Sequence, residues 1–260
     1  MGFDVAADAY EEFMGQYSNP LGVVFADWIG GRRGQRAIDV GCGTGALTTE
    51  LVARLGADAV AAVDPSPSFV AEIQRRFPGV DAAIASAERL PYPDDRFDIA
   101  AAQLVVHFMT DAVAGIRELA RVTKTGGIVA ANAWDHSGGR GPHAIFWSAV
   151  GSLDDNPPAP AALAGSASTD LAGLFTEAGL ANVTSSSLTV VRHYRSFDEW
   201  WHPYTLGVAP AGDYVASLSD EARTELRVRC AEQFPATSFD VTALAWCVRG
   251  TVTEPTNVGG

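Results

Sequence analysis

The sequence is short of basic residues and contains no long hydrophobic run. Its 18 lysines and arginines stand against 31 aspartates and glutamates, and the formal net charge is −13. Binding to nucleic acid or to an anionic membrane surface requires a basic patch, so neither partner is expected. No stretch reaches the roughly 18 consecutive apolar residues of a membrane span. The sequence therefore predicts a chain that does not cross a membrane.

Cysteine is also scarce. Only Cys42, Cys230 and Cys247 occur, and their odd number and wide spacing argue against a disulfide framework. The first residues are acidic and lack the basic and apolar regions of a secretory signal peptide. Both observations fit a reducing compartment, and we expect a cytoplasmic location. No cluster of histidine, cysteine and carboxylate has metal-ligand spacing, so no metal is expected.

The remaining composition is that of a folded domain, with 47% hydrophobic and 19% charged residues. From residue 36 onward, short apolar segments alternate with amphipathic ones, and glycine or proline separates them. Strands that are apolar on both faces belong to parallel sheets covered by helices on each side. The sequence therefore predicts a doubly wound, mostly parallel α/β sheet.

Seven segments have the composition of strands, and the last is expected to close the sheet edge. They are Ala37–Val40, Ala59–Val63, Val80–Ala85, Phe97–Val106, Ile128–Ala133, Val183–Tyr194 and Val241–Val248. Near the N-terminus, Ser18-Asn19-Pro20 is expected to separate one helix from a second, Leu21–Ile29, because proline interrupts helices.

The segment from Ala37 to Thr48, AIDVGCGTGALT, predicts a strand, a glycine loop and a helix in that order. This order brings bare backbone to a ligand at a helix N-terminus. Asp64 follows Gly45 by about 20 residues, the distance at which an acidic residue binds ribose hydroxyls in nucleotide sites. The G-x-G-x-G spacing differs from the G-x-G-x-x-G of dinucleotide enzymes, and no GK[ST] follows, which excludes a P-loop.

Four motifs in this order resemble class I S-adenosylmethionine-dependent methyltransferases, and most closely their UbiE-like group of small-molecule enzymes. The motifs are Asp39–Gly45, Asp64-Pro65-Ser66, Ala87–Asp98 and Arg121–Gly127. The resemblance covers residues 36–134, and a YxxFMxxYS pattern at Tyr10–Ser18 adds to it. It implies a Rossmann-like seven-stranded fold, S-adenosylmethionine as cofactor and S-adenosylhomocysteine as product.

The resemblance also implies roles for individual residues. Asp39 would orient the cofactor's amino group, Asp64 would accept its ribose hydroxyls, and adenine would lie beside Ser66. The backbone of the glycine loop would lie along the methionyl and ribose part, where any Cβ would collide. The complete set of predicted cofactor-binding residues is Asp39, Gly41, Cys42, Gly43, Gly45, Asp64, Pro65, Ser66, Ser86, Ala87, Glu88, Gln103 and Tyr17. Two positions depart from the family pattern. Relatives commonly carry aspartate where this sequence has Ser86, and they often carry arginine where it has Gln16.

The chain is expected to be a single domain over residues 1–260. Residues 1–31 would form N-terminal helices whose aromatic stripe packs on the core, or a lid that places Tyr10 or Tyr17 over the ligand. Residues 36–134 would form the cofactor-binding core. Residues 196–235 would form an inserted helical cap. The aromatic cluster of that cap is more often core than substrate contact, and it consists of Phe197, Trp200, Trp201 and Tyr204.

His107 follows the fourth predicted strand and is the first candidate for a general base, because histidine titrates near neutral pH. His136 is the second candidate, and a base is needed only if the acceptor must lose a proton. The predicted activity is O- or C-methylation of a small, aromatic or apolar organic acceptor by a monomer or homodimer. The alternatives are a catalytically inactive cofactor-binding partner subunit and a nicotinamide-dependent oxidoreductase.

Overall fold

The computed structural model describes residues 11–154 and 168–254. The part of the predicted N-terminal helix that contains Tyr10 lies outside the described residues, as does most of a proline- and alanine-rich stretch, residues 154–168. Within the described ranges, no helix combines the length and the apolar character needed to cross a membrane.

One seven-stranded sheet forms the centre of the molecule. Strands β1 to β7 span Ala37–Val40, Val60–Asp64, Asp81–Ile84, Phe97–Gln103, Thr123–Trp134, Ala181–Tyr194 and Phe239–Thr251. Their order is β3-β2-β1-β4-β5-β7-β6. The first five strands are parallel, and β7 is antiparallel to both β5 and β6. This confirms the predicted seven-stranded, mostly parallel α/β fold.

Helices connect the strands and cover both faces of the sheet. Helices α1 to α9 span Gln16–Ile29, Ala46–Leu55, Pro67–Arg76, Ala112–Val122, Ala144–Gly151, Ser168–Glu177, Phe197–Trp201, Ala209–Ser217 and Asp220–Ala231. A π-helical turn, Glu11–Gly15, precedes α1, and 3-10 turns occupy Ala57–Ala59, Val106–Phe108 and His202–Leu206. The start of α4 is fixed by Asp111, whose Oδ1 accepts a hydrogen bond from the N–H of Ala114 at 2.9 Å.

The expected break at Pro20 is wrong, because α1 continues through the proline. Proline removes one backbone donor and crowds the preceding turn. The same helix, however, buries the side chains of Tyr17, Leu21 and Phe25, each at most 1% exposed. Burying a large apolar side chain is worth about 1.5–3 kcal/mol, so this face offsets the loss of one hydrogen bond.

The expected position of the last strand is also wrong. Strand β7 lies between β5 and β6, and β6 forms the edge. Its inward side chains Ala243, Ala245 and Cys247 are fully buried, as suits an interior strand. Strand β4 ends earlier than expected, at Gln103, because Leu104 adopts a left-handed φ of 61° and turns the chain.

Two apolar layers lie on opposite faces of the sheet, and their burial explains why the strands are apolar throughout. One layer joins α1, α2 and α3 to the sheet and includes Phe25, Leu51 and Ile73. The other joins α4 and α6 to it and includes Ile116 and Phe175.

A third apolar cluster connects α1 to α5 and to the helices between β6 and β7. Trp200 and Tyr204 are buried in it, at 1% and 3% exposure, and Trp201 is 6% exposed. These aromatic side chains are therefore core residues, as the sequence favoured. Residues 196–235 are largely helical, while the division of the chain into lid, core and cap stays a prediction.

Candidate functional site

A cavity opens at the carboxyl ends of β1, β2 and β4. The strand order reverses between β1 and β4, which is where ligands bind in open parallel sheets. The cavity is lined by Ser18, Asp39, Gly41, Cys42, Gly43, Thr44, Ala46, Leu47, Asp64, Pro65, Phe69, Gln103, Leu104, Val105 and Phe108. Seven of the residues predicted to bind a cofactor are brought together here, namely Asp39, Gly41, Cys42, Gly43, Asp64, Pro65 and Gln103.

The glycine loop between β1 and α2 requires left-handed backbone at three positions. Gly41, Gly43 and Gly45 have φ values of 73°, 52° and 94°. A Cβ at Gly41 would collide with the side chain of Val105, and one at Gly45 would lie 2.7 Å from Cδ1 of Ile73. A Cβ at Gly43 would meet nothing within 4 Å. Two of the glycines are thus required by the protein's own packing, and Gly43 leaves open space beside the cavity.

Asp64 at the end of β2 is held in a fixed orientation. Its Oδ2 accepts a hydrogen bond from the N–H of Gly43 at 3.0 Å, and its Oδ1 accepts one from the N–H of Ser66 at 2.9 Å. Burial raises the pKa of the carboxyl, while the two N–H donors lower it. Each carboxylate oxygen has a further lone pair, so both can still accept hydroxyl groups of a ligand.

Asp39 is the most deeply buried carboxylate of the cavity, at 1% exposure. Its Oδ2 accepts a hydrogen bond from the Thr48 hydroxyl at 2.6 Å. Its Oδ1 is buried and has no hydrogen-bond partner among the described residues. Burial raises the pKa of Asp39 to about 7, against the lowering effect of Thr48. A buried acceptor without a donor is costly, so this oxygen suits a cationic N–H donor on a ligand.

Gln103 supplies a second such acceptor. Its Nε2 donates to the carbonyl of Ser18 at 2.9 Å, which joins the end of β4 to α1. Its Oε1 is buried and finds no donor within the part of the chain that the structure describes. Asp39 and Gln103 both line the cavity, and each has a buried acceptor oxygen for which the described residues supply no donor.

The predicted adenine-binding segment does not line the cavity. Ser86 is exposed, and Ala87 is buried in the apolar layer under α4. Glu88 Oε1 accepts a hydrogen bond from the N–H of Thr110 at 2.7 Å, just before α4 begins. The amide of Ala85 donates a hydrogen bond to the carbonyl of Asp64. The segment 86–88 therefore starts beside Asp64, the residue predicted to bind the ribose. Its role toward adenine stays a prediction.

Tyr17 lies away from the cavity, on the inner face of α1. It is 1% exposed, and its hydroxyl lies 2.7 Å from the hydroxyl of Tyr194 on β6. Tyr194 in turn donates to Oε1 of Gln16 at 2.8 Å. Tyr17 thus makes a buried polar contact that joins α1 to the edge strand β6. Its neighbour Ser18 lines the cavity instead.

The two candidate bases are close to each other at the ends of β4 and β5. The rings of His107 and His136 lie 6.2 Å apart, and His107 packs on Phe108 with centroids 4.0 Å apart. Nδ1 of His107 is buried without a partner among the described side chains. Burial, and secondarily His136, lower the pKa of His107 to about 4. His107 is therefore neutral at pH 7, and its neighbour Phe108 is part of the cavity wall.

Several lining residues carry no motif that would reveal them in the sequence. Phe69 from α3, Leu104 and Val105 approach the loop only through the tertiary fold. Thr44 could have been expected, because it lies inside the glycine loop. Ser18 could also have been expected, because it ends the YxxFMxxYS pattern.

Comparison with known proteins adds an independent finding. Residues 38–131 match the model of a family described as a methyltransferase domain. An uncharacterized methyltransferase of Mycobacterium tuberculosis is 36% identical over 127 residues, which is 49% of each chain. A demethylmenaquinone methyltransferase of Beutenbergia cavernae is 39% identical over 101 residues, 39% of this chain and 41% of its own. The chain thus spans about half the length of the curated relatives it matches, or less.

Among solved structures, the YcgJ protein of Bacillus subtilis shares the fold. It superimposes with a TM-score of 0.58 over 92% of this chain and 99% of its own, at 21% sequence identity. The matched region, residues 38–131, contains the glycine loop, Asp64 and Gln103, which line the cavity. Residues 38–131 are therefore similar to a methyltransferase domain, and the relatives they match include enzymes named as demethylmenaquinone and ubiquinone/menaquinone methyltransferases.

Proposed function

We propose that the protein uses S-adenosylmethionine to methylate a small organic acceptor and releases S-adenosylhomocysteine. The observation that carries this proposal is that two residues lining one cavity, Asp39 and Gln103, each have a buried acceptor oxygen without a donor among the described residues. None of the described residues that line it is a lysine or an arginine. Such a cavity favours a cationic ligand with N–H donors, and the cofactor has both an ammonium and a sulfonium group.

In this proposal each polar residue of the cavity holds one part of the cofactor. Asp39 and Gln103 accept hydrogen bonds from its amino group, and Asp64 accepts the ribose hydroxyls. The backbone at Gly43 lies along the ligand, because a side chain there would enter the open space. The predicted contacts of adenine with Ser66 and with residues 86–88 belong to the same proposal. The bound cofactor supplies a methyl group that is already activated on sulfur.

The acceptor would bind where the cavity wall is apolar, beside Leu104 and Phe108. Apolar and aromatic walls suit a flat acceptor such as a phenol or a hydroquinone. His107 would take the proton that an acceptor hydroxyl loses as the methyl bond forms. The electron pair of the breaking carbon–sulfur bond remains on sulfur. Its pKa of about 4 keeps His107 neutral at pH 7, so the imidazole is in the form that accepts a proton.

The names of two relatives point to different acceptors, and only the first is aromatic. One is a demethylmenaquinone methyltransferase and the other a malonyl-[acyl-carrier protein] O-methyltransferase. We therefore propose the class of small organic acceptor, with aromatic carbon or oxygen as the methylated atom. A nicotinamide cofactor fits less well, because the G-x-G-x-G spacing of the glycine loop differs from the G-x-G-x-x-G of dinucleotide enzymes.

The organisation of the molecule forms part of the proposal. Helix α1 would act as a lid, because Ser18 lines the cavity and its carbonyl binds Gln103. Residues 196–235 would cap the acceptor side of a single domain over residues 1–260. A cytoplasmic monomer or homodimer, with neither nucleic acid nor membrane as partner, agrees with the net charge of −13 and with three free cysteines.

The test is transfer of a labelled methyl group from S-adenosylmethionine to a panel of phenols, hydroquinones and aliphatic amines. Products separated by mass spectrometry distinguish methylation at oxygen, carbon and nitrogen. Transfer to a phenol or hydroquinone supports the proposal, and transfer to amines alone contradicts the proposed acceptor class. Binding of the cofactor without transfer to any member of a broad panel would favour an inactive partner subunit.

A further inference from the structure

The carboxylate of Glu11 lies against the glycine loop. Its Oε2 accepts a hydrogen bond from the Thr44 hydroxyl at 2.6 Å, and its Oε1 accepts one from Nδ2 of Asn19 at 2.5 Å. Thr44 is 5% exposed and lies between Gly43 and Gly45 on the cavity wall. Glu11 therefore joins the π-helical turn before α1 directly to the loop that forms the candidate cofactor site.

Two glycines provide the space for this approach. A Cβ at Gly15 would lie 2.5 Å from the carboxylate carbon of Glu11, so a larger residue there would displace the carboxylate. A Cβ at Gly22 would lie 2.8 Å from the carbonyl oxygen of Ala46, the first residue of α2. The N-terminal segment thus packs closely on both the glycine loop and the helix that follows it.

The loop is held from a second side as well. The guanidinium of Arg76 on α3 donates a hydrogen bond to the carbonyl oxygen of Thr44. The next residue toward the N-terminus, Gly43, donates its N–H to Oδ2 of Asp64. The contacts of Thr44 therefore fix the backbone next to Gly43, and Gly43 holds Asp64, the residue predicted to bind the ribose. Loss of the Glu11 contact would free the Thr44 hydroxyl and loosen this arrangement.

We propose that Glu11 is a positioning residue for the cofactor. By accepting the Thr44 hydrogen bond, it holds the glycine loop in the geometry that binds the ligand and links the turn Glu11–Gly15 to cofactor affinity. This inference rests on the proposed function, because it concerns the same site. Glu11 acts through Thr44 and has no assigned contact with the cofactor itself.

The neighbouring acid, Glu12, provides a matched control. Its Oε1 lies 3.3 Å from Nε2 of His202, in the 3-10 turn His202–Leu206, and no hydrogen bond or ion pair joins Glu12 to the glycine loop among the described residues. Glu11 and Glu12 thus share charge, size and location in the chain, and they differ in whether they touch the loop. Their alanine variants separate the effect of the Thr44 contact from the loss of one negative charge.

The first experiment measures the dissociation constant of S-adenosylmethionine by calorimetry. We expect Glu11→Ala to weaken binding about tenfold, the effect of losing one hydrogen bond to a charged group. Thr44→Val should weaken it by a similar factor, and the double variant should lose no more than Glu11→Ala, because both changes remove the same contact between Thr44 and Glu11. Glu11→Gln keeps an oxygen for Thr44 and should recover most of the affinity, while Glu12→Ala should bind as wild type.

The second experiment needs no ligand and separates this inference from the proposed function. Amide hydrogen exchange in residues 11–20 and 41–45 should be faster in Glu11→Ala and Thr44→Val than in wild type or Glu12→Ala. A wild type that binds no cofactor contradicts the proposed function, and exchange alone then decides whether Glu11 positions the loop. Unchanged exchange, tighter binding in Glu11→Ala, or additive losses in the double variant would overturn the inference.

Discussion

The hydroxyl of Thr48 donates to Oδ2 of Asp39 at 2.6 Å and leaves Oδ1 of the same buried carboxylate without a partner among the described residues. Thr48 lies on α2 and Asp39 on β1, so the bond spans the glycine loop that connects them. A donor on a bound ligand would complete the coordination of this carboxylate. The protonation state of Asp39 therefore links ligand binding to pH.

Cofactor affinity should rise with pH between about 5 and 7. In the free protein, burial raises the pKa of Asp39 to about 7, so the carboxyl is largely protonated at pH 5. A cationic amino group favours the ionised form, and binding then releases a proton. The dissociation constant should fall by up to about tenfold per pH unit in this window and level off above it. Calorimetry at pH 6 in buffers of different ionisation enthalpy measures the released proton, and Asp39→Asn should abolish the pH dependence.

The same group predicts a pH-dependent stability difference. The folded-state pKa of Asp39, about 7, is raised above the ordinary value of 3.8. The protonated carboxyl therefore contributes stability that is fully present below pH 3.8. This contribution is lost as pH rises through about 7. Relative to wild type, Asp39→Asn should therefore gain unfolding free energy as pH increases from 4 to 8. Urea titrations without ligand measure it, and a difference that is constant over this range would contradict the assignment.

Two glycines of the loop should respond differently to alanine. Gly41→Ala places a methyl group onto Val105 at a left-handed φ, and it should destabilise the fold by more than about 2 kcal/mol. Gly43→Ala meets no atom within 4 Å and should cost only about 1–2 kcal/mol for its backbone conformation. The cofactor affinity of Gly43→Ala should nevertheless fall, because the methyl group occupies the space of the ligand. Thermal unfolding and calorimetry compare the two variants.

His107→Asn should lower the turnover number about 10²- to 10⁴-fold for an acceptor that must lose a proton, the usual contribution of a general base. Cofactor binding should be unchanged, since none of the proposed cofactor contacts involves His107. Burial lowers the pKa of His107 to about 4. The turnover number of the wild type should therefore fall only when the pH falls through about 4. A variant with full turnover on a phenolic acceptor would exclude His107 as the base.

Tyr17→Phe should affect stability and leave the cofactor site intact. It removes a hydroxyl that lies 2.7 Å from the hydroxyl of Tyr194 in a buried contact. Tyr194 keeps the hydrogen bond that it donates to Gln16, so the loss of one hydrogen bond should cost about 0.5–1.5 kcal/mol of unfolding free energy. The dissociation constant of S-adenosylmethionine should stay within about twofold of wild type. A large loss of affinity with unchanged stability would instead support the direct contact that the sequence predicted.

Local signals in the sequence predicted the parts of the fold that depend on local chemistry. Strand β1 and the start of α2 lie where the apolar run and the three loop glycines placed them. Asp39 and Gln103 were identified through the family resemblance, and Asp64 also through its spacing from Gly45. Each ends, or nearly ends, a strand at the same edge of the parallel sheet. Residues at the carboxyl ends of parallel strands can be located from the sequence, because the common direction of the strands brings those ends to one edge of the sheet.

Features that depend on distant contacts could not be predicted in this way. The position of β7 beside β5 is set by pairing between strands more than 100 residues apart, such as Trp134 with Ala245. Pro20 is tolerated because the rest of α1 buries a large apolar face, which no local propensity reports. The motif predicts Glu88 as a ligand contact. In the structure its carboxylate accepts a hydrogen bond from the backbone N–H of Thr110, just before α4.

The central claim is that this cavity binds S-adenosylmethionine, and calorimetric titration of the wild type, Asp64→Ala and Asp213→Ala tests it most directly. Asp213 is an exposed aspartate on α8 and serves as the control for losing a carboxylate. The account predicts micromolar binding, about 8 kcal/mol, for the wild type and the control, and its loss in a folded Asp64→Ala. A folded wild type that binds neither S-adenosylmethionine nor S-adenosylhomocysteine would contradict the account.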